Sequence, residues 1–102
     1  MQSDVHTCRI TSLAKGRDME VLRFDYGPGD SPPAHCHPYP QTGFVQSGRY
    51  RLWIEGAGVQ DLRAGGGYVV PADAEHTFEV MEPGVVIVST HPDQSTYVRG
   101  QS

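Results

Sequence analysis

Two histidines stand two residues apart in the chain, and a glutamine follows closely. His35 and His37 flank a cysteine, and Gln41 comes four residues after the second histidine. Because side chains two apart in an extended segment lie on one face, both imidazoles can converge on one point. Imidazole is a ligand that transition metals favour, and the amide oxygen of Gln41 has the same parity. The spacing therefore predicts a metal site with Gln41 as a third ligand.

A third histidine can reach the same interior from another part of the chain. His76 follows the turn signal Pro71-Ala72-Asp73 and opens a segment in which apolar and polar residues alternate. It shares its parity with Phe78 and Val80, which we expect to face the core. His76 is therefore the candidate for a fourth ligand.

The elements that must position these residues are short strands. The 102 residues include 12 glycines and 8 prolines, and valine outnumbers leucine, which suits strands and tight turns rather than a helical bundle. Turn signals recur at short intervals, and the runs between them have strand length. We expect one all-β domain over residues 1–102, an antiparallel sandwich or barrel, with frayed termini at about 1–4 and 99–102.

Individual segments show the period of two expected for half-buried strands. Leu22-Arg23-Phe24-Asp25-Tyr26 alternates strictly, and Tyr50, Leu52 and Ile54 share one face of the next such segment. Tyr68-Val69-Val70 is a short apolar run that ends at a proline. Val85-Val86-Ile87-Val88 has no polar residue and predicts a strand buried on both faces.

Charge and composition exclude several classes of function. The net charge is -4, and the basic residues are scattered, so nucleic-acid binding is not expected. The longest apolar run is far too short to cross a bilayer, and the N-terminus lacks the pattern of a signal peptide. Two cysteines, Cys8 and Cys36, cannot form a disulfide scaffold. We expect reduced thiols in a cytoplasmic protein without a membrane partner.

The spacing of these residues resembles the two motifs of the cupin family. Residues 29–48 resemble the first motif, in which Gly29 and Gly48 bracket the histidine pair and Gln41. Residues 65–80 resemble the second motif, which begins at Gly65, passes through Pro71 and includes His76. The resemblance implies a double-stranded β-helix (jelly-roll) barrel with one divalent metal, bound by His35, His37, Gln41 and His76. It also implies a homodimer.

Two positions depart from the usual cupin pattern. Gln41 stands where the family more often has glutamate, and Asp73 stands where a glycine is common. Aspartate tolerates a left-handed conformation, so we expect the turn to survive. Three imidazoles and an amide leave the 2+ charge of a metal uncompensated, which favours Lewis-acid chemistry over iron–oxygen chemistry. The ligands do not distinguish Zn, Ni, Mn and Fe.

Other residues near the predicted site are candidates for further roles. Tyr50 could donate a proton if its phenol faces the interior. Tyr39 could cover the site or form a rigid turn between ligands, and His91 is expected in a surface turn rather than at the barrel mouth. Cys36 should point away from the ligands, and Arg23 and Arg51 should face solvent.

Four functions are compatible with such a site. The segment from His35 to Gly48 resembles that of cupins that ketonise 4,5-unsaturated uronates, and the residues from His91 to Tyr97 are a weaker match to their C-terminal end. This favours an isomerase- or lyase-type enzyme acting on a small oxygenated molecule. The alternatives are a polyketide cyclase with an aromatic cavity, an Fe-dependent dioxygenase and a non-catalytic sensor of a small ligand.

Overall fold

The structure is a computed structural model that describes residues 8–30 and 36–92. These residues form eight strands and no helix, so none of the described segments could cross a membrane as a helix. The strands are β1 (Arg9–Lys15), β2 (Glu20–Tyr26), β3 (Gln41–Val45), β4 (Arg49–Ile54), β5 (Gly58–Arg63), β6 (Gly67–Val70), β7 (His76–Glu82) and β8 (Gly84–Thr90). The all-β prediction is confirmed, whereas the predicted frayed ends, 1–4 and 99–102, lie outside the described residues.

The strands pair into two antiparallel sheets that face each other. One sheet has five strands in the order β1-β2-β8-β3-β6, and the other has three in the order β5-β4-β7. Neighbours within a sheet are mostly distant in sequence, as in β2 with β8 and β4 with β7. This order is that of the predicted jelly roll, and it brings the predicted first-motif and second-motif residues to facing sheets.

The core is made by one face of each sheet. Alternate side chains along the strands are buried, including Leu22 and Phe24 on β2 and Tyr50, Leu52 and Ile54 on β4. Along β8, Val86 and Val88 are buried, but Val85 and Ile87 are only half-buried. The prediction that residues 85–88 are buried on both faces is therefore wrong. Although β8 is central in its sheet, the described chain forms only two layers, so its outer face has no third layer against it.

Two turns hold backbone conformations that their residues are suited to. Gly48, between β3 and β4, has a φ of 92°, and a Cβ built there would lie 2.5 Å from the Tyr50 hydroxyl oxygen. Only glycine fits both requirements. Asp73, before β7, has a φ of 66°. The expected tolerance of aspartate for the left-handed turn is thus confirmed.

Arg23, Arg51 and Cys36 point away from the core, as the sequence predicted. Arg23 pairs with Asp25 at 2.9 Å, and Arg51 pairs with Asp61 at 3.4 Å, both away from the core. Cys8 and Cys36 are free thiols. Cys36 is exposed while the adjacent His37 is buried, so the two side chains point to opposite faces. Burial raises the pKa of the Cys8 thiol to about 12, which keeps it protonated and inert.

Candidate functional site

His37 and His76 meet between the two sheets. His37 lies in the segment before β3, and His76 is the first residue of β7 in the opposite sheet. Their ring centroids are 5.1 Å apart with an interplanar angle of 68°, and both side chains are buried. Two imidazoles at this separation, with rings that point in different directions, can both bind one metal ion that lies between them. The structure thus brings together two of the residues predicted as metal ligands.

Backbone carbonyls fix the tautomer of both rings. The Nδ1 atom of His37 lies 3.3 Å from the carbonyl oxygen of Tyr39, and Nδ1 of His76 lies 3.0 Å from that of Ala74. A carbonyl oxygen only accepts, so Nδ1 must carry the proton in each ring. The Nε2 lone pair is then the ligating atom, as is usual for metal-bound histidines whose other nitrogen donates to a carbonyl.

The turn of the second predicted motif supports the ligand segment of the first. The N–H of Asp73 donates to the carbonyl oxygen of His37 at 2.7 Å. The left-handed conformation of Asp73 belongs to the turn that also delivers His76 to its strand. One turn therefore fixes the backbone of one histidine while it begins the strand that carries the other.

Gln41 fits a metal site through its amide oxygen. It is the first residue of β3, its side chain is 8% exposed, and it lies on the inner face of the five-stranded sheet. Its Oε1 atom is buried and has no hydrogen-bond partner within 8–30 and 36–92. A buried oxygen of this kind normally has a partner, because the desolvation cost of leaving it without one is about 1–3 kcal/mol. A metal ion would satisfy this acceptor.

A row of polar side chains continues from Gln41 across the inner wall. Gln41 pairs with Thr90 on β8, and Thr90 pairs with Glu20 on β2. Thr90 and Glu20 are both buried, and the hydroxyl of Ser12 donates to Oε2 of Glu20 at 2.6 Å. Such a short distance is typical of a hydroxyl bound to a carboxylate. The wall beside Gln41 therefore carries an acidic group.

Sequence reasoning missed Glu20, although a signal was available. Glu20 has the same parity as Leu22 and Phe24, both of which face the core. The strict apolar–polar alternation begins at Leu22, so the pattern alone does not include Glu20, which is the first residue of β2. A charged residue that extends an inward-facing set is a candidate functional group, because carboxylates are rarely buried without a role or a partner.

Tyr68 forms the layer below Gln41. It pairs with Gly43, and a Cβ built on Gly43 would lie 2.2 Å from two of its ring carbons. The ring therefore occupies the space that a side chain at position 43 would need. Burial raises the pKa of the Tyr68 phenol well above its usual range, and a hydrogen bond with the Gln41 side chain opposes that rise.

Tyr50 lies at the other end of the barrel. Its hydroxyl donates to the carbonyl oxygen of Ser47 at 2.8 Å, in the turn before β4. His76 pairs with Ile54, which is four residues further along that strand, about 13 Å away at the usual strand rise. The structure does not bring the Tyr50 phenol to the histidines. Its buried ring packs on Phe78, with centroids 5.0 Å apart.

Aromatic rings line the approach to the histidines. Tyr39 stacks on His37 with centroids 5.2 Å apart and an interplanar angle of 8°, and His91 stacks on Tyr39 with centroids 5.2 Å apart. His91 is half-buried. His91 follows the end of β8, and its stacking on Tyr39 brings it close to the His37 ring. Tyr39 covers one side of the His37 ring.

The predicted ligand set is only partly within the described chain. His35 lies outside the described residues, as does most of the segment after His91. Among residues 8–30 and 36–92, no three His, Cys, Asp or Glu side chains come together. Two histidines meet there, and the further predicted ligand, Gln41, is an amide rather than a carboxylate.

Solved structures with the same architecture are numerous. An RmlC-like cupin from Shewanella frigidimarina superposes with a TM-score of 0.79 at 19% identity, over 89% of this chain and 81% of that one. KdgF from a Halomonas species gives 0.78 at 25% identity, over 88% and 84%. The DMSP lyase DddQ from Ruegeria pomeroyi gives 0.75 at 18% identity, over 84% of this chain but 47% of the lyase.

Sequence comparison agrees with the fold. Among curated proteins, no sequence matches this chain. The profile of the family described as "Cupin domain" matches residues 22–95, which is most of the chain and includes both predicted motifs in full. With the jelly-roll sheets and the paired histidines, this match shows that the chain belongs to the cupin family.

Proposed function

We propose that this protein is a metal-dependent cupin enzyme of the isomerase or lyase type. One divalent transition metal, Zn, Ni, Mn or Fe, would be held by His35, His37, Gln41 and His76. The observation that carries the proposal is the convergence of His37 and His76 at 5.1 Å, with their Nδ1 atoms on backbone carbonyls and a buried acceptor on Gln41. When bound, the metal supplies Lewis acidity, which polarises a carbonyl or hydroxyl group of a substrate.

Other residues of the chain would transfer protons, orient the carboxylate and exclude water. Glu20 is a carboxylate on the wall that carries Gln41, about 10 Å from it across two strand spacings. We assign it the proton transfer, in place of Tyr50, whose hydroxyl is bonded to Ser47. Ser12 orients the carboxylate through its hydrogen bond. Tyr39 and His91 cover the approach and help to exclude water.

The charged side chains near the inner face of the five-stranded sheet limit which substrates the site could bind. Every arginine and lysine within the described residues is exposed or half-buried, and Glu20 is the acidic group beside the site. No described cation could therefore hold a substrate carboxylate. Within residues 8–30 and 36–92, the only positive charge open to an anionic substrate would be the metal itself, whose ligands would all be neutral. A 4,5-unsaturated uronate carries a carboxylate, so the lack of an inward-facing cation among the described residues counts against this substrate unless the metal itself holds the carboxylate.

The aromatic residues of the interior favour an enzyme with a small substrate over a polyketide cyclase. Tyr50, Tyr68 and Phe78 are the residues that could line an aromatic cavity. Phe78 packs against both tyrosines, with centroids 5.0 Å and 6.0 Å away, and against Tyr26 at 5.2 Å. These contacts make the rings part of the core. A small substrate therefore suits the site better than a fused aromatic one.

Elemental analysis followed by an activity assay tests the proposal. The purified protein should hold close to one transition metal per chain at neutral pH. It should also remove the ultraviolet absorbance of 4,5-unsaturated uronates, and His76→Ala and chelator-treated protein should not. Glu79→Gln, an exposed change on β7, is the matched control that keeps both properties. Protein without stoichiometric metal, and without stabilisation by any of the four metals, would contradict the proposal.

The other functions give different results in the same experiments. Oxygen consumption that depends on added Fe(II) would indicate a dioxygenase. A small molecule that binds and is returned unchanged would indicate a sensor. We further propose a cytoplasmic homodimer without nucleic-acid or membrane partners, which sedimentation at several protein concentrations tests for the oligomeric state.

A further inference from the structure

We infer that Thr90 is a specificity-determining residue whose buried hydroxyl binds an uncharged hydroxyl group of the substrate, on the carbon next to the oxygen that the metal would hold. The inference rests on the proposed function and names its substrate class, small α-hydroxy carbonyl compounds. Thr90 is the last residue of β8 and belongs to neither predicted motif. The supporting observations are its burial, its hydroxyl without a partner and its position between Gln41 and Glu20.

The Thr90 hydroxyl is a buried polar group without a partner in the fold. Val86, Val88 and Thr90 share the buried face of β8, and Thr90 is 1% exposed. Its Oγ1 atom has no hydrogen-bond partner within residues 8–30 and 36–92. A valine of the same shape would fill this position without the desolvation cost of an unpaired hydroxyl. A buried polar group kept at such a cost is expected where a ligand supplies the partner.

Strand register places this hydroxyl next to the proposed metal ligand. Thr90 is directly opposite Gln41 on β3 and directly opposite Glu20 on β2, with all three side chains buried. Neighbouring strands are about 4.8 Å apart, so Thr90 is one strand spacing from each of them. Oxygens on adjacent carbon atoms lie closer together than this spacing. A substrate with one oxygen on a metal beside Gln41 therefore brings the oxygen of its next carbon to Thr90.

The charges around Thr90 favour an uncharged group at this point. Glu20 places an acidic side chain on one side of Thr90, and every arginine and lysine within the described residues is exposed or half-buried. A second carboxylate there would be repelled, with no described cation to compensate it. A hydroxyl is uncharged and both donates and accepts, so it can pair with the Thr90 hydroxyl in either direction.

Two small probes that differ by one hydroxyl test the inference. Hydroxyacetone carries a hydroxyl on the carbon next to its carbonyl, and acetone lacks it. Titration of each into the Co²⁺-loaded protein, followed by the visible spectrum, gives both dissociation constants. We expect the unmodified protein to prefer hydroxyacetone by about 5- to 100-fold, the range for a buried polar group that is paired with one probe and unpaired with the other.

Variants at position 90 assign this preference to the hydroxyl. Thr90→Val should remove the preference without weakening the binding of acetone, whereas Thr90→Ser, which keeps the hydroxyl, should retain it. Thr42→Val, the same change on the exposed face of β3, is the matched control and should retain it too.

The stability of the metal-free protein gives a second readout. Thr90→Val removes an unpaired buried hydroxyl, so the midpoint of urea unfolding should rise by up to roughly 1 M. A clear fall in the midpoint would show that the hydroxyl is bonded within the fold, and would overturn the inference.

The outcomes separate this inference from the proposed function. If the unmodified protein binds no metal, both fail. If it binds metal but the two probes bind equally, or neither binds, the metal site stands and the role of Thr90 is refuted. A preference that survives in Thr90→Val would mean that the metal itself holds the second oxygen, which would likewise refute the role of Thr90.

Discussion

The rings of His37 and His76 lie 5.1 Å apart at an angle of 68°, although one precedes β3 and the other begins β7 in the facing sheet. The carbonyl oxygen of His37 accepts the N–H of Asp73 in the turn before β7. The two histidines are thus connected through the backbone as well as across the sheets. The backbone bond holds the segment that carries His37 against the turn that precedes His76.

We expect metal to stabilise the folded protein. A ligand that binds only the native state at 100 times its Kd adds about 2.7 kcal/mol to the free energy of unfolding. For a domain of this size that raises Tm by roughly 10–20 °C. Thermal unfolding with and without Zn²⁺, after treatment with a chelator, measures the shift. His76→Ala should unfold at the same temperature in both conditions, and a shift in that variant would count against the site.

Gly43→Ala should destabilise the protein because the added Cβ would overlap the Tyr68 ring. Overpacking of this kind costs about 1–3 kcal/mol. Gly16→Ala is the matched control, because a Cβ there would meet its nearest neighbour, the Met19 carbonyl oxygen, at an ordinary 3.6 Å. Urea unfolding of the metal-free proteins measures both changes. Equal stability of the two variants would mean that the ring moves aside without cost.

Tyr50→Phe should weaken the fold and flatten its response to alkaline pH. The lost bond to Ser47 is worth about 0.5–1.5 kcal/mol. Burial raises the pKa of Tyr50 from 10.0 to about 12, so its stabilisation is complete below pH 10 and is lost as pH rises towards 12. The variant lacks this titration. Urea unfolding at pH 8 and between pH 10 and 12 should therefore show a smaller decline for Tyr50→Phe, and parallel declines would contradict the prediction.

Glu20→Gln should abolish proton transfer while the metal stays bound. Loss of a general acid or base typically slows turnover by about 10²–10⁴-fold. Ser12 can still donate to the amide oxygen, so the fold should persist. The rate on 4,5-unsaturated uronates and the metal content are measured together, with Glu79→Gln as the exposed control. Full activity of Glu20→Gln would remove Glu20 from the mechanism.

Much of the fold follows from local patterns in the sequence. Alternation along residues 22–26 and along Tyr50, Leu52 and Ile54 assigns the inner faces, because a strand has a period of two. The spacing of glycines, Pro71 and the histidine pair was enough to indicate the cupin family. The same parity rule placed Arg23 and Arg51 outside and His76 inside.

Relations between strands were decided only by the tertiary structure. Val85 and Ile87 are half-buried because the sheet has one covered face, which an all-apolar run does not reveal. The rows that join Glu20 to Gln41 through Thr90, and Tyr68 to Gly43, depend on register between strands far apart in sequence. Parity assigns a side chain to a face but not to a height along the barrel. Tyr50 and Tyr68 both face inward, yet only Tyr68 lies beside Gln41.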